Sequence, residues 1–301
     1  MLLTEPLRWL TLLLHVRFVF SKPKGNNPIF IIGHWRSGTS YLQDLLAMDS
    51  RFHYLSLYRM VSVNHFRLTE SCFGNILSAC IKRMNVNYPL QRNTKLDLSF
   101  SGELDVSLLF LGSPYAYTWA HLFPRKFDDL LQNTLWDTTQ KAWLKDYLLV
   151  MHSLQSQRPN ARLILKSPGD TARLEALYLA FPKAQFIYLH RSENDSLHST
   201  AYLWQQIERY YGFQRWENPN RSVRETYHAL LQAYRTQKSC IPPEQRIEIP
   251  FEALHDHPIS TLEKIYQHFD LGELPAPLLN RLHESQGKHK AQTYPKPFPV
   301  S

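Results

Sequence analysis

The chain has 301 residues, of which 44% are hydrophobic, so it can bury one large α/β core or two small ones. It carries 34 Lys and Arg residues against 26 Asp and Glu residues, and the net charge of +8 suits an anionic ligand or an acidic membrane surface. The basic residues are dispersed, without a Lys/Arg run or a zinc-finger or RNA-binding signature. Nucleic acid is therefore not an expected partner.

The cysteines are few and scattered. Their number is odd and no Cys-x-x-Cys spacing occurs, which argues against a disulfide framework and against a metal site. We predict reduced, packed thiols in a cytoplasmic protein. The residues concerned are Cys72, Cys80 and Cys240.

Residues 1–27 are predicted to form an amphipathic helix and a linker. Residues 7–20 are strongly apolar, but Arg8 and Arg17 interrupt them, and the segment is too short and too charged to cross a bilayer. No small-x-small site for signal cleavage follows. Two interpretations stay open: the helix docks on the body of its own chain, or residues 1–20 lie on a membrane surface or form a dimer contact.

Residues 28–40 contain the most informative pattern, Pro-Ile-Phe-Ile-Ile-Gly-His-Trp-Arg-Ser-Gly-Thr-Ser. An apolar run predicts a strand that ends at Gly33, and a basic, hydroxyl-rich turn follows it. After this turn, apolar residues at helical spacing predict a helix. In such a strand, turn and helix, backbone N–H groups point at one spot. The arrangement favours an anion there.

The glycine spacing of this turn is that of a Walker A loop, but the basic residue is not. Gly33 and Gly38 have the required separation, yet Thr39 follows where the nucleoside-triphosphate signature needs Lys. The basic group is Arg36 instead. The alternative interpretation is a plain helix N-cap at Ser37 without a ligand, although such a cap does not need two flanking glycines and an arginine.

Residues 50–160 show few strand signals, and we predict a helical insertion. Helices are expected over residues 101–111 and 136–154, with an aromatic stretch over 113–119 between them. In a doubly wound sheet the ligand binds at the carboxyl ends of the strands. A cap at that edge would shape an acceptor pocket.

Two later strands also end near basic residues. Residues 162–166 form an apolar run that ends at Lys166, and a helix over residues 171–180 follows. Residues 184–189 form a buried strand that leads to Arg191. The sequence therefore predicts three strands that all end in cationic turns.

Arg191 and Ser199 stand eight residues apart, a little over two helical turns. Arginine offers a planar fork of donors to phosphate, and a serine hydroxyl adds one more. The alternative is that Arg191 pairs with Glu193 or Asp195 while Ser199 faces solvent.

In the C-terminal part of the chain we predict helices and one strand, which Pro250 places at an edge of the sheet. The helices span residues 192–211, 221–238 and 258–269, and the strand spans residues 246–252.

These segments resemble sulfotransferases that use 3′-phosphoadenosine-5′-phosphosulfate (PAPS). The Arg-Ser-Gly-Thr-Ser run resembles their 5′-phosphosulfate loop, and residues 191–199 resemble the element that holds the 3′-phosphate. Lys-Ser-Pro after the strand at 162–166 and Phe-Pro-Lys-Ala at residues 181–184 match the region between. The chain is identified as a member of the sulfotransferase superfamily, of a bacterial-type branch. The resemblance implies an α/β fold, a P-loop-type parallel sheet flanked by helices, over residues 28–301.

The resemblance also implies site residues. The residues expected to bind the cofactor are Arg36, Ser37, Gly38, Thr39, Ser40, Arg191 and Ser199, together with Lys288 in a basic tail. Arg36 and Lys166 are expected to be catalytic, because they would neutralise the negative charge of the leaving phosphate. A general base is expected as well. The expected donor is PAPS, the product 3′,5′-bisphosphate is PAP, and no metal is required.

The base has two candidates. Glu103 lies in Ser-Gly-Glu-Leu-Asp, the nearest match to an acidic motif of the family, and His34 lies inside the phosphate loop. The alternative for Glu103 is an acid in the first turn of a helix, stabilised by the helix dipole. The acceptor, a hydroxyl or amine on a carbohydrate, lipid, peptide or small molecule, stays open. So do two other functions: a P-loop kinase or NTPase, and a non-catalytic PAP-binding protein associated with a membrane.

Overall fold

The computed structural model describes residues 27–88, 94–136 and 142–285, together with residues 6 and 90. Five parallel strands form one sheet with the order β2-β3-β1-β4-β5. The strands are β1 (Ile29–Gly33), β2 (Phe52–Tyr54), β3 (Arg162–Lys166), β4 (Gln185–His190) and β5 (Arg246–Pro250). The chain folds as a parallel α/β protein, as the sequence predicts.

Fourteen α-helices connect and cover these strands within the described residues. They are α1 (Thr39–Leu46), α2 (Leu57–Val61), α3 (Phe66–Thr69), α4 (Asn75–Met84), α5 (Leu104–Leu111), α6 (Thr118–Leu122), α7 (Phe127–Leu131), α8 (Ala142–Gln157), α9 (Leu174–Ala180), α10 (Glu193–Tyr211), α11 (Pro219–Gln237), α12 (Phe251–Asp256), α13 (Pro258–His268) and α14 (Ala276–Ser285). Short π-helical turns span Glu70–Gly74 and Gln132–Trp136, and 3₁₀ turns span Pro124–Lys126, Pro168–Arg173, Lys238–Cys240 and Pro243–Gln245.

Strand β1 lies at the centre of the sheet and is buried on both faces. Phe30 and Ile32 pack into one apolar cluster with α8, while Ile29 and Ile31 pack into another with α1 and α13. This explains why the strand is apolar at every position rather than at alternate positions. Because β3 and β4 flank β1, the turns that follow these three strands meet at one edge of the sheet.

Several predicted element boundaries need correction. Residues 50–160 are mainly helical, but Phe52–Tyr54 forms the edge strand β2, which is too short for its pattern to be recognised. The helix predicted from residue 171 begins at Leu174, because Pro168–Arg173 forms a 3₁₀ turn. The strand predicted to reach residue 252 ends at Pro250, where α12 begins.

Some predictions fall partly outside the described residues. The N-terminal helix over residues 7–20, residue Lys288 and the start of the helix predicted over 136–154 lie there. The cysteines are free, but Cys72 and Cys80 are exposed, so the prediction of packed thiols is wrong for these two. Within the described ranges, no helix combines the length and the apolar character needed to cross a bilayer.

Candidate active site

The turn after β1 closes tightly around two glycines. Gly33 has φ = 149°, and a Cβ there would lie 2.3 Å from the carbonyl oxygen of Leu189. Gly38 has φ = 95°, and a Cβ there would lie 2.4 Å from the ring of Phe251. Side chains would be both strained and in collision, so glycine is required at both positions. The backbone of the loop can therefore run close to the ends of β4 and β5.

Helix α1 begins without a side-chain cap among the described residues. Its N-cap residue is Gly38, and Ser37 instead donates its hydroxyl to the carbonyl of His34 at 2.8 Å. The interpretation of the loop as a helix capped by Ser37 is therefore wrong. The first N–H groups of the helix, at Thr39 and Ser40, have no intrahelical acceptor, and the helix dipole favours an anion in front of them.

Arg36 has an unusual backbone conformation in the same turn. Its φ of 66° lies in the left-handed region that non-glycine residues rarely adopt. Its Nε donates to Oγ of Ser199 on α10 at 2.8 Å. Burial, followed by the nearby charge of Arg191, lowers the pKa of Arg36 to about 10, so it stays cationic at neutral pH. Arg36 thus connects the phosphate loop to the helix that follows β4.

Arg191 follows β4 and faces the same space. Its guanidinium carbon lies 4.8 Å from the centre of the Phe251 ring, and Nη2 lies 3.6 Å from Oδ2 of Asp195. The predicted alternative is therefore correct for the pair of Arg191 and Asp195, but wrong for Ser199, which is 1% exposed rather than facing solvent. Nε of Arg191 is nevertheless buried and has no hydrogen-bond partner in the described part of the chain. This N–H group is therefore available to donate a hydrogen bond to a bound ligand.

Lys166 and Glu103 form an ion pair in the cavity. Lys166 ends β3 and is only 5% exposed, and its Nζ lies 3.5 Å from Oε2 of Glu103. Burial raises the pKa of Glu103, and the positive charge of Lys166 opposes that increase. A carboxylate and an ammonium that share a cavity can accept a proton and stabilise developing negative charge, respectively.

Local contacts fix the position of Glu103. It is the N-cap residue of α5 rather than a first-turn residue, and its N–H donates to Sδ of Met60 at 3.3 Å. A Cβ at Gly102 would lie 2.9 Å from the carbonyl oxygen of Ser56, so this glycine allows a close approach of two backbones. The carboxylate makes no capping bond with α5 in the structure and points to Lys166 instead.

Tyr117 is a second partner of Glu103. Its hydroxyl donates to Oε1 of the carboxylate. The tyrosine is 1% exposed, and its ring packs edge-on against Trp35 with 5.3 Å between ring centres. A Cβ at Gly169 would lie 2.3 Å from the tyrosine ring, so the glycine leaves room for it. The phenol therefore has little freedom to leave the carboxylate.

A buried ion pair anchors the segment that carries Tyr117. Asp105 accepts hydrogen bonds from the N–H and hydroxyl of Thr118, and its carboxylate lies 3.4 Å from Arg173. Both charged side chains are at most 2% exposed. Burial raises the pKa of Asp105 to about 6, with Arg173 opposing the increase. The acid two positions after Glu103 thus has a structural role.

His34, the rival candidate base, lies beneath the loop. It is 6% exposed, its Nδ1 lies 2.8 Å from the carbonyl oxygen of Trp35, and its ring packs against Tyr227. Burial lowers the pKa of His34 to about 4. His34 is not among the described residues that line the cavity, so the structure does not bring it together with Glu103 and Lys166.

The cavity has a volume of about 380 Å³. The charged and hydroxyl-bearing residues of its lining include Arg36, Thr39, Ser40, Glu103, Lys166 and Arg191. The apolar and aromatic residues of its lining include Leu57, Met60, Tyr88, Leu90, Phe100, Val106, Leu203 and Ile207. An anionic group would fit the first set, and an apolar molecule would fit the second.

Sequence reasoning missed three residues of this site. Tyr117 lies in a recognised aromatic stretch, but nothing in the pattern singles it out. Asp44 lines the cavity, accepts a hydrogen bond from the N–H of Ser101 at 3.0 Å, and has a pKa raised by burial. Ser101 also donates its hydroxyl to the carbonyl of Ser40, at 3.4 Å. Asp44 and Ser101 join the phosphate loop to the segment that carries Glu103.

Comparison with known proteins gives consistent matches. A profile described as the sulfotransferase family matches residues 28–274. The omega-hydroxy-beta-dihydromenaquinone-9 sulfotransferases Stf3 of Mycobacterium bovis and Mycobacterium tuberculosis are each 26% identical over 274 residues, which cover 89% of this chain and 69% of each relative.

Solved structures show the same fold. Sulfotransferase STF9 of Mycobacterium avium superposes with a TM-score of 0.74 at 17% identity, covering 94% of this chain and 72% of the other. Sulfotransferase STF1 of Mycobacterium tuberculosis superposes with a TM-score of 0.70 at 19% identity, covering 92% and 75%.

Proposed function

This chain belongs to the sulfotransferase family, and we propose that it transfers a sulfuryl group from PAPS to a hydroxyl of an apolar acceptor. The observation that carries the proposal is the pair of Glu103 and Lys166 at 3.5 Å, which faces the same cavity as the phosphate loop. Sulfuryl transfer needs a proton acceptor and a fixed positive charge beside an anion-binding loop. All three occur together here.

The residues present fit the two anionic ends of PAPS. The backbone of residues 37–40 and the side chain of Arg36 would hold the phosphosulfate end at the N-terminus of α1. Arg191 and Ser199 would hold the 3′-phosphate, and the unpartnered Nε of Arg191 within the described residues supports this assignment. The bound cofactor supplies the sulfuryl group and leaves as PAP. Lys288 remains a predicted further contact.

Glu103 and Lys166 have different roles in the proposed reaction. Glu103 accepts the proton of the acceptor hydroxyl, and Lys166 and Arg36 compensate the charge that develops on the leaving phosphate. Sulfuryl transfer resembles phosphoryl transfer in having a loose transition state, so positioning and charge compensation account for most of the catalysis. Tyr117 keeps the carboxylate of Glu103 in place through its hydrogen bond.

The acceptor side of the cavity supports an apolar substrate. Apolar side chains from α2, α5 and α10 contribute to it, together with Tyr88 and Phe100, which lie outside the helices. The Stf3 relatives are named for acting on a menaquinone with an omega-hydroxyl group, which is a hydroxyl on a largely apolar molecule. Both observations favour a hydroxyl carried on an apolar chain over a sugar or a peptide side chain.

Binding and transfer are tested separately. In a thermal-shift titration we expect PAP to raise the melting temperature, because its phosphates bind only the folded state. Stabilisation by ATP but not by PAP would contradict the sulfotransferase proposal and favour a kinase. Incubation with radiolabelled PAPS and a panel of apolar alcohols, sugars, amines and peptides should label an apolar alcohol. PAP binding without transfer to any of them would point to a non-catalytic protein.

A further inference from the structure

Helix α4 and its flanks expose an apolar surface. No side chain of α4 is buried, although the helix has a clear division into polar and apolar faces. Phe73, Ile76, Leu77 and Met84 are exposed by 64%, 63%, 45% and 64%, and their spacing places them on one helical face. We call these four side chains and Val86, which is 37% exposed, the α4 apolar surface. Patches of this kind mark interaction sites.

Unlike an ordinary surface helix, α4 leaves its apolar stripe exposed to solvent. A surface helix normally buries its apolar stripe and exposes its polar face. On the opposite side of the helix, Nζ of Lys82 lies 3.1 Å from Oδ2 of Asp97, although the Lys82 side chain is itself 62% exposed. Gly74 lies against Tyr58 at the beginning of the helix. The apolar surface is therefore held outward by specific contacts on the opposite side.

The surroundings of the α4 apolar surface are basic. Within the described part of residues 59–97, the basic residues are Arg59, Arg67, Lys82, Arg83 and Lys95, and the acidic residues are Glu70 and Asp97. Both acids are already engaged, because Glu70 pairs with Arg59 at 3.0 Å and Asp97 pairs with Lys82. The segment thus combines exposed apolar side chains with an excess of positive charge.

We propose that the α4 apolar surface binds the surface of an anionic lipid membrane. An amphipathic helix with an exposed apolar face and basic neighbours matches the way such helices lie at the boundary between headgroups and acyl chains. Each basic side chain near the surface adds attraction to anionic lipids. This inference goes beyond the proposed reaction and does not depend on PAPS or on the identity of the acceptor.

Charge argues against two other occupants. A second copy of the chain would bring the same basic segment opposite itself, and like charges across an interface are unfavourable. The N-terminal residues 1–26 are apolar as well, but Arg8, Arg17, Lys22 and Lys24 outnumber Glu5 there. That segment would also place positive charge against positive charge, whereas an anionic membrane is complementary to the surface.

A groove connects Val86, at the edge of the α4 apolar surface, with the cavity that contains Glu103. This groove of about 410 Å³ runs beside α4 and includes Ile81, Val86 and Phe100, and Phe100 also lines the cavity that contains Glu103. Tyr88, two residues after Val86, lines that cavity too. A membrane in contact with α4 would therefore lie next to the apolar side of the cavity.

The test is a vesicle flotation experiment with the full chain. Vesicles of phosphatidylcholine with phosphatidylglycerol are compared with vesicles of phosphatidylcholine alone. The variant Phe73→Glu/Met84→Glu places charge on the surface, and Leu179→Glu/Phe213→Glu is the matched control, because those side chains are 61% and 71% exposed elsewhere. We expect the wild type and the control to float with the anionic vesicles, and the Phe73/Met84 variant to bind at least about tenfold more weakly.

Other results would overturn the proposal. Equal binding by the two double variants would exclude the α4 apolar surface, and so would a wild type that binds neither kind of vesicle. Loss of binding in Leu7→Glu/Leu14→Glu, with binding retained in Phe73→Glu/Met84→Glu, would move the contact to the N-terminal segment. A wild-type dimer that the Phe73/Met84 variant dissociates, without vesicle binding, would identify a second copy as the occupant. Stabilisation by PAP, measured on each variant, reports the cofactor site independently.

Discussion

The two sides of the cavity are built differently. The donor side comes from turns that directly follow neighbouring strands: the phosphate loop after β1, Lys166 at the end of β3 and Arg191 after β4. The groups that we propose to contact the donor are backbone N–H groups and cations close to the sheet. The acceptor side is lined by side chains from separate helices and loops, such as Met60, Tyr88 and Leu203.

This difference indicates how each side responds to change. The sheet order fixes the donor side, because β1 lies between β3 and β4 and the three turns must meet. The glycines of its loop leave no room for other residues. The acceptor side depends on packing among helices, so its shape can change while the donor side remains intact. Glu103 lies where the two sides meet.

The largest effect is expected from Glu103→Gln. The amide keeps the shape of the side chain but cannot accept the proton of the acceptor, so the transfer rate should fall by roughly 10²–10⁴-fold. The affinity for PAP should stay near that of the wild type, because Glu103 belongs to the acceptor chemistry. Steady-state transfer assays and calorimetry with PAP measure the two quantities.

His34→Ala provides the contrasting variant. Its circular dichroism spectrum is checked first, because His34 is buried in the core beneath the loop. A normal transfer rate in Glu103→Gln, together with a collapsed rate in a folded His34→Ala protein, would make His34 the base. The general base would then lie on the donor side of the cavity, and the separation of donor and acceptor chemistry between the two sides would be wrong.

Lys166→Met should reduce turnover by about 10²–10³-fold, the usual cost of removing one group that stabilises transition-state charge. Methionine preserves the length and apolar stem of this buried side chain. PAP affinity should change less than turnover, because the charge matters most as the leaving phosphate forms. If single-turnover rates stay normal while PAP affinity drops, Lys166 only binds the cofactor.

The same contrast explains what the sequence could predict. Strands β1, β3 and β4 are apolar runs that end in recognisable turns, and the proposed donor-binding residues follow them closely in sequence, whereas β5 shows an alternating pattern. In the capping segment, Tyr117 is one of several aromatic residues in a row, and its contact with Glu103 depends on the packing of α5 against α6. Asp44 depends on Ser101, which is 57 positions away in the sequence. Strand β2 likewise pairs with β3, whose residues are 110 positions away.

Arg191→Ala should weaken PAP binding. Removing a charge-assisted fork to a phosphate costs roughly 1.5–3 kcal/mol, or about 10- to 150-fold in affinity. Asp195→Ala is the matched control, because it removes the carboxylate beside Arg191 but leaves the guanidinium in place. We expect this control to retain PAP affinity in calorimetry. Wild-type affinity in Arg191→Ala would remove Arg191 from the cofactor site and weaken the argument for a donor side built from strand ends.

Tyr117→Phe is expected to have the smallest effect. It tests whether the tyrosine hydroxyl acts through Glu103, the residue that lies where the two sides meet. The phenol donates a hydrogen bond to the carboxylate of Glu103, which favours the charged form, so its loss should raise the pKa of Glu103 beyond the increase already caused by burial. The base works only when deprotonated. Activity declines as the pH falls through the pKa of Glu103, and the acid limb of the rate profile should therefore move to higher pH in the variant.

At a pH well above that limb, Tyr117→Phe should lose about 2- to 12-fold in transfer rate, the value of one ordinary hydrogen bond. The affinity for PAP should not change, because the tyrosine hydroxyl contacts Glu103 and not the groups proposed to bind PAP. Trp119→Phe is a suitable control: it loses a side-chain hydrogen bond to the carbonyl of Ser113 and does not touch Glu103 through that bond. A shift of the acid limb in Tyr117→Phe but not in Trp119→Phe would show that the phenol acts through the carboxylate. Identical profiles would mean that Tyr117 only fills space against Trp35, and that the position of Glu103 depends on Lys166 and the backbone of residues 102–104.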